Sequence, residues 1–180
     1  MALKATIYKA ELTLSDLDRH YYATQALTVA LHPSETEARM MLRLMAYALN
    51  AHDDLAFTRG ISSTDEPDLW QHNADGTLEH WIELGQPDEK RLRKACGLAR
   101  KVSVYSYGRQ APLTWRQTLG PVLARFDNLA VYHVDTTSEQ ALAALAHRQM
   151  HLNALIEDGQ LWFGDDQHTV AVALQTWKTA

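Results

Sequence analysis

The stretch from Asp65 to Asp88 constrains this chain more than any other. Asp65-Glu66-Pro67-Asp68 stands before a short β-prone segment, and Asn73-Ala74-Asp75-Gly76 is a turn signal. From Thr77 to Leu84 the sequence alternates. Leu78, His80, Ile82 and Leu84 fall on one face of a strand, and Glu79, Trp81 and Glu83 on the other. Pro87 then sits where a first helical residue is expected, and Asp88 and Glu89 favour the positive end of a helix. The stretch therefore reads as a hairpin followed at once by a helix. It places two carboxylates, Asp68 and Glu83, on adjacent strands where they can meet at one end of the hairpin.

A chain of 180 residues is long enough to bury a sizeable core as a single domain, 1–180. No apolar run is long enough to span a bilayer. The start, Met1 to Tyr8, alternates like a strand and lacks the apolar stretch of a signal peptide. The single Cys96 excludes an internal disulfide and any multi-cysteine zinc site. Together these favour a cytoplasmic protein that is not membrane-bound. The net charge of −5 supplies no global basic field for duplex DNA. The dense basic run, Lys90-Arg91-Leu92-Arg93-Lys94 with Arg100-Lys101, leaves room for nucleic acid at a local patch. Its plainer reading is a solvated helix face. The oligomeric state is not legible.

The remaining elements follow from periodicity and turn chemistry. Strands are expected from Leu3 to Leu14 and from Arg19 to His32, joined around Ser15-Asp16-Leu17-Asp18. Ser34 and Glu37 have capping-box spacing for a helix running to about Ala51, with Met41, Leu44, Met45 and Ala48 as its buried stripe. Strands near Leu55–Arg59 and Leu69–Gln71 precede the hairpin's second strand. The helix after Pro87 buries Leu92, Ala95, Cys96 and Ala99, and Lys101–Tyr107 is a strand. A helix from about Leu113 to Arg125, a strand Leu129–Val134 and a helix Ser138–His147 come next. Strands Met150–Glu157, Gln160–Phe163 and Val170–Thr176 close the chain, with Asp158-Gly159 as a hairpin turn. The class is α+β with a mixed sheet.

Magnesium is a hard cation held by carboxylates, and it keeps several waters. Asp68 and Glu83 are the candidate ligands, with Glu35 in a first helical turn as a third. Each has a plain structural reading. Asp68 follows a proline in a loop, Glu35 suits a helix dipole, and Glu83 invites a salt bridge with Arg91. The histidines show no HExxH or HxH spacing, and the glycines form no phosphate-binding loop.

At these residues the chain resembles the YaeQ family. The supporting segments are Met1 to Lys9, His32-Pro33-Ser34-Glu35-Thr36, Phe57-Thr58-Arg59-Gly60, Asp65-Glu66-Pro67, and Trp81-Ile82-Glu83-Leu84-Gly85 running into Pro87-Asp88-Glu89. The resemblance implies a variant of the restriction-endonuclease-like PD-(D/E)XK fold. Its core is helix, three strands, helix, strand, with added N- and C-terminal strands forming a mixed sheet. It implies that Asp68 stands for the aspartate of that motif, Glu83 for its acidic second element, and Glu35 for a first-helix glutamate. The motif's lysine is replaced by Gly85, and Arg91 or Lys94 is the candidate to supply its charge. Two functions follow as expectations. One is a Mg²⁺-dependent phosphodiesterase or nuclease with a degenerate lysine position. The other is a catalytically inactive binding or interaction module on the same fold.

Overall fold

The computed structural model describes residues 4–180. Leu3, where the first strand was expected to begin, lies outside the described residues. The chain divides into two compact units, Met1–Ala51 with Thr137–Val172, and His52–Thr136 with Ala173–Ala180.

In the first unit, strands β1 (Thr6–Asp16) and β2 (Tyr21–Leu31) form a long antiparallel hairpin. Helix α1 (Glu37–Leu49) follows and is buried on every side from Met40 to Ala48, Arg43 included. Its N-cap is Thr36, which accepts from the Arg39 N–H at 3.2 Å, and not the predicted Ser34. Ser34 instead bonds the His32 ring at 2.7 Å. The Glu37 carboxylate turns away from the cap and accepts from the Tyr8 hydroxyl at 2.7 Å. Later in the chain, helix α4 (Thr136–Ala143) leads to strands β8 (Gln149–Glu157), β9 (Gln160–Gly164) and β10 (Thr169–Val172). These complete a five-stranded mixed sheet in the order β10-β9-β8-β1-β2, where only the β1–β8 pair is parallel.

The second unit holds strands β3 (Leu55–Phe57), β4 (Leu69–His72) and β5 (Leu78–Leu84). Helix α2 (Glu89–Leu98), strand β6 (Ala99–Ser106), helix α3 (Ala111–Leu123) and strand β7 (Leu129–Val134) follow, and β11 (Leu174–Lys178) returns at the end. The six strands lie in the order β11-β7-β6-β5-β4-β3. Pairs β5–β6 and β6–β7 are parallel and the rest antiparallel. Parallel neighbours require crossover helices, which α2 and α3 supply. Trp81, Leu92, Val102, Val104, Trp115 and Val131 pack into one core beneath them.

The order α1, β3, β4, β5, α2, β6 is the one the sequence predicts, and the class is α+β. Two corrections concern the added strands. Two mixed sheets stand where one was expected, and the N-terminal strands pair with β8, β9 and β10 in the five-stranded one. The predicted strand Val170–Thr176 is two strands that part at Ala173, one joining each sheet.

Candidate functional site

Asp68 and Glu83 come together where the start of β4 meets the end of β5. Leu69 lies opposite Ile82, and the Asp68 N–H donates to the Ile82 carbonyl at 3.0 Å. Asp68 therefore sits just ahead of β4 against the end of β5, where its side chain reaches the Leu84 N–H next to Glu83 and its charge acts on Glu83. Both side chains are buried, at 2% and 7% exposure. The site lies at the carboxyl end of β5, beside a parallel partner, which is where open α/β sheets present ligand sites.

Each carboxylate is oriented by specific donors. Asp68 Oδ2 accepts from the Leu84 N–H at 2.8 Å. Glu83 Oε2 accepts from the Trp81 indole at 2.8 Å, and Oε1 from Arg91 Nε at 2.7 Å. The salt bridge read from the sequence as Glu83's plain role is thus present. Burial raises the proton affinity of Glu83 above the ordinary carboxylate range. The Arg91 hydrogen bond opposes that rise, and the charge of Asp68 adds to it.

Arg91 does more than neutralise Glu83. Its two terminal nitrogens donate to the carbonyls of Thr64 and Glu66, each at 2.7 Å. Its own backbone N–H is capped by Asp88 Oδ1 at 2.8 Å, so Asp88 is the N-cap and the helix begins at Glu89, not at Pro87. The guanidinium also lies 5.7 Å from the Trp81 ring centroid. One side chain therefore pins the segment before Asp68 to the start of α2. With only 24% of its side chain exposed, Arg91 is not the largely exposed residue that the sequence predicts.

Lys94 points to Asp65, 2.8 Å away at the surface. Elsewhere in the basic run, Arg93 pairs with Glu89 and Arg100 with Glu79. Glu35 belongs to the other unit. There Arg43 grips both of its oxygens at 2.8 Å, and Arg39 adds a third bond at 3.1 Å. The structure thus brings Asp68, Glu83 and Arg91 into one constellation, and gives Glu35 and Lys94 ionic partners of their own. Among the described residues no group of three or more His, Cys, Asp or Glu is placed to hold a metal ion.

Two features escaped the sequence reading. Gly85 has φ +100°, a conformation that side chains rarely adopt, so the missing lysine reflects the backbone as well as the residue. Gln86, next in line, donates its amide to Ser106 Oγ at 3.2 Å and to the Tyr107 carbonyl at 2.9 Å. It ties the carboxyl ends of β5 and β6 together. A polar residue three places after Glu83, just past a strand end, was the available signal.

The family model described as YaeQ protein matches residues 1–174. "Uncharacterized protein YaeQ" of Escherichia coli (strain K12) is 44% identical over 178 residues, covering 99% of this chain and 98% of the relative. The Salmonella typhi protein of the same name is also 44% identical over 178 residues, with the same coverage. The crystal structure of YaeQ protein from Xanthomonas axonopodis pv. citri superposes with TM-score 0.94 at 44% identity, over 98% of this chain and 99% of that one. YaeQ from Pseudomonas syringae gives TM-score 0.93 at 37% identity, over 98% of this chain and 97% of that one. The chain belongs to the YaeQ family.

Proposed function

We propose that this chain is a divalent-metal-dependent phosphodiesterase of the nuclease type, on a restriction-endonuclease-like core, with Asp68 and Glu83 as the ligands of Mg²⁺. The observation that carries this reading is the pair of buried, neighbouring carboxylates at the carboxyl end of β5. Magnesium suits such a pair, because it is commonly held by one or two carboxylates and substrate phosphate while keeping its waters. The donor set is hard oxygen only, and the mutual repulsion of two buried carboxylates is what a divalent cation relieves. When bound, the ion supplies an activated water and offsets charge on the scissile phosphate.

The chain's own residues do the positioning. Trp81 and Arg91 hold the two oxygens of Glu83, and the Leu84 N–H holds Asp68. Arg91, with every side-chain nitrogen engaged, is a positioning residue in this account and not the phosphate-stabilising cation. Glu35, bound by two arginines, is left out of the ligand set. Nucleic acid approaching the basic run would exchange the carboxylate partners of Arg93, Lys94 and Arg100 for phosphates.

A second reading, a catalytically inactive binding module, is favoured by one observation. The motif's lysine position is a glycine at positive φ, and the two cationic candidates, Arg91 and Lys94, are already paired. Cleavage assays separate the readings. The full chain is incubated with Mg²⁺ or Mn²⁺ and with labelled single-stranded DNA, duplex DNA and RNA. Metal-dependent cleavage that is lost in Asp68→Asn and Glu83→Gln supports the enzyme. A wild type inert on all three leaves the binding module.

A further inference from the structure

The five-stranded sheet has an open face. Along β1, Leu12 and Leu14 are buried while Thr13 and Ser15 are not. Along β8, Leu152, Ala154 and Ile156 are buried while Asn153, Leu155 and Glu157 are exposed. Register sets the open residues in rows. Tyr22, Ser15, Leu155 and Trp162 run side by side across β2, β1, β8 and β9, and Thr24, Thr13, Asn153 and Gly164 run beside them. A cavity of about 580 Å³ opens on this face, lined by Thr13, Ser15, Asn153, Leu155, Glu157 and Trp162 among others. Small-molecule sites span roughly 300–1,000 Å³. At one end the turn after β9 closes over Gly164, where any side chain would collide with the His168 carbonyl.

Trp162 sets this cavity apart. Of the chain's five tryptophans, Trp70 meets His72 edge-on, Trp81 donates to Glu83, Trp115 donates to the Pro87 carbonyl, and Trp177 stacks on His133. Among the described residues Trp162 alone has neither a ring partner nor a hydrogen bond from its indole. Nor, among the described residues, do the side chains of Thr13, Ser15, Asn153 and Glu157 bond to a neighbour. An indole and four uncommitted polar groups converge on one concavity.

We propose that this cavity binds a neutral, hydroxyl-rich ring, a pyranoside unit of a saccharide, with Trp162 as its platform. A hydroxyl both donates and accepts, matching the mixed set of indole N–H, amide, hydroxyls and carboxylate. An ammonium ligand only donates, and would leave the Trp162 N–H and the Asn153 amide N–H groups without an acceptor. A phosphate would face Glu157 and Asp165, with no lysine or arginine in the lining. Asp165 is also partly spent, since its Oδ1 accepts from the Gln167 and His168 N–H groups at 2.8 and 2.7 Å.

The test is a ¹H–¹⁵N titration of the full chain with methyl glucoside, methyl galactoside, methyl N-acetylglucosaminide and maltose. Putrescine and AMP serve as the cationic and phosphate-bearing probes. The expected result is a saturable shift of the Trp162 indole and the Asn153 side-chain amide with at least one sugar. Trp162→Ala and Asn153→Ala, both outside the buried face, should each weaken binding about tenfold or more with unchanged circular dichroism. The proposal is overturned if no sugar moves the Trp162 signal, or if sugar binding survives in both variants. It is equally overturned if only putrescine or AMP shifts that signal, or if the face proves to be covered by a second copy of the chain in a dimer that Trp162→Ala dissociates.

Discussion

Asp68 sits beside the end of β5 next to Glu83, bonded to the Leu84 N–H, and its charge adds to the rise in Glu83's proton affinity that burial begins. Arg91 answers that charge with one nitrogen and ties down the preceding loop with the other two.

Arg91→Ala should destabilise the protein by about 2 kcal/mol or more, because it leaves the buried Glu83 carboxylate without its cation. The side chain of Glu83 is only 10% exposed, which is why water does not replace the guanidinium. Urea unfolding should show a lower midpoint at an unchanged slope. Amide exchange should quicken between Thr64 and Glu66, whose carbonyls Arg91 holds. Lys94→Ala, which removes a surface pair, should change stability by no more than about 0.5 kcal/mol.

Gly85→Ala should cost roughly 1–2 kcal/mol, from backbone strain and not from crowding. A Cβ there would sit 3.8 Å from Tyr107 Cε1, an ordinary contact, but φ is +100°. Gly85→Lys should carry the same penalty and should not raise cleavage, since its backbone cannot present the amine as a regular strand would. A Gly85→Ala variant as stable as wild type in thermal and urea unfolding contradicts this.

His80 should make the fold acid-sensitive. It is 5% exposed, its Nε2 bonds Ser103 Oγ at 2.8 Å, and burial lowers its pKa to about 3 from 6.5. Between those values the unfolded chain binds the proton and the folded chain does not. Stability therefore rises with pH, and it is lost as pH falls from about 6.5 towards 3, by up to about 1.4 kcal/mol per pH unit. In urea titrations at stepped pH, His80→Gln should flatten this slope. A variant with the wild-type slope removes His80 as the cause.

Much of the fold was legible because turn chemistry is local. Asn73–Gly76 and Asp158-Gly159 mark their hairpins unaided, and the spacing from Glu83 to a helix start was enough to pair Glu83 with Arg91. What stayed hidden depends on distant partners. Nothing at Ala173 marks a strand break, since no glycine or proline stands there and only pairing with different sheets divides it. Glu35 reads as a first-turn acid until Arg43, two helical turns on, is seen to grip it. The capping box at Ser34 lost to Thr36 because the serine hydroxyl found the His32 ring. Gly85 as a letter carries no sign of φ.

Cys96 should react slowly. Burial pushes its thiol up to about 11, with Lys178 working the other way, although the side chain is half-buried and not enclosed as the helical stripe predicts. At neutral pH its modification by a thiol reagent should run roughly a hundredfold slower than in the urea-unfolded chain. Equal rates in the two states contradict this.

The central claim is that Asp68 and Glu83 hold a divalent cation, and calorimetric titration of Mg²⁺ and Mn²⁺ into the full chain tests it most directly. The account predicts one saturable site in the wild type, and its loss in both Asp68→Asn and Glu83→Gln, while Glu35→Gln retains it. No saturable heat in the wild type, or a site that persists in both the Asp68 and Glu83 variants, would contradict it.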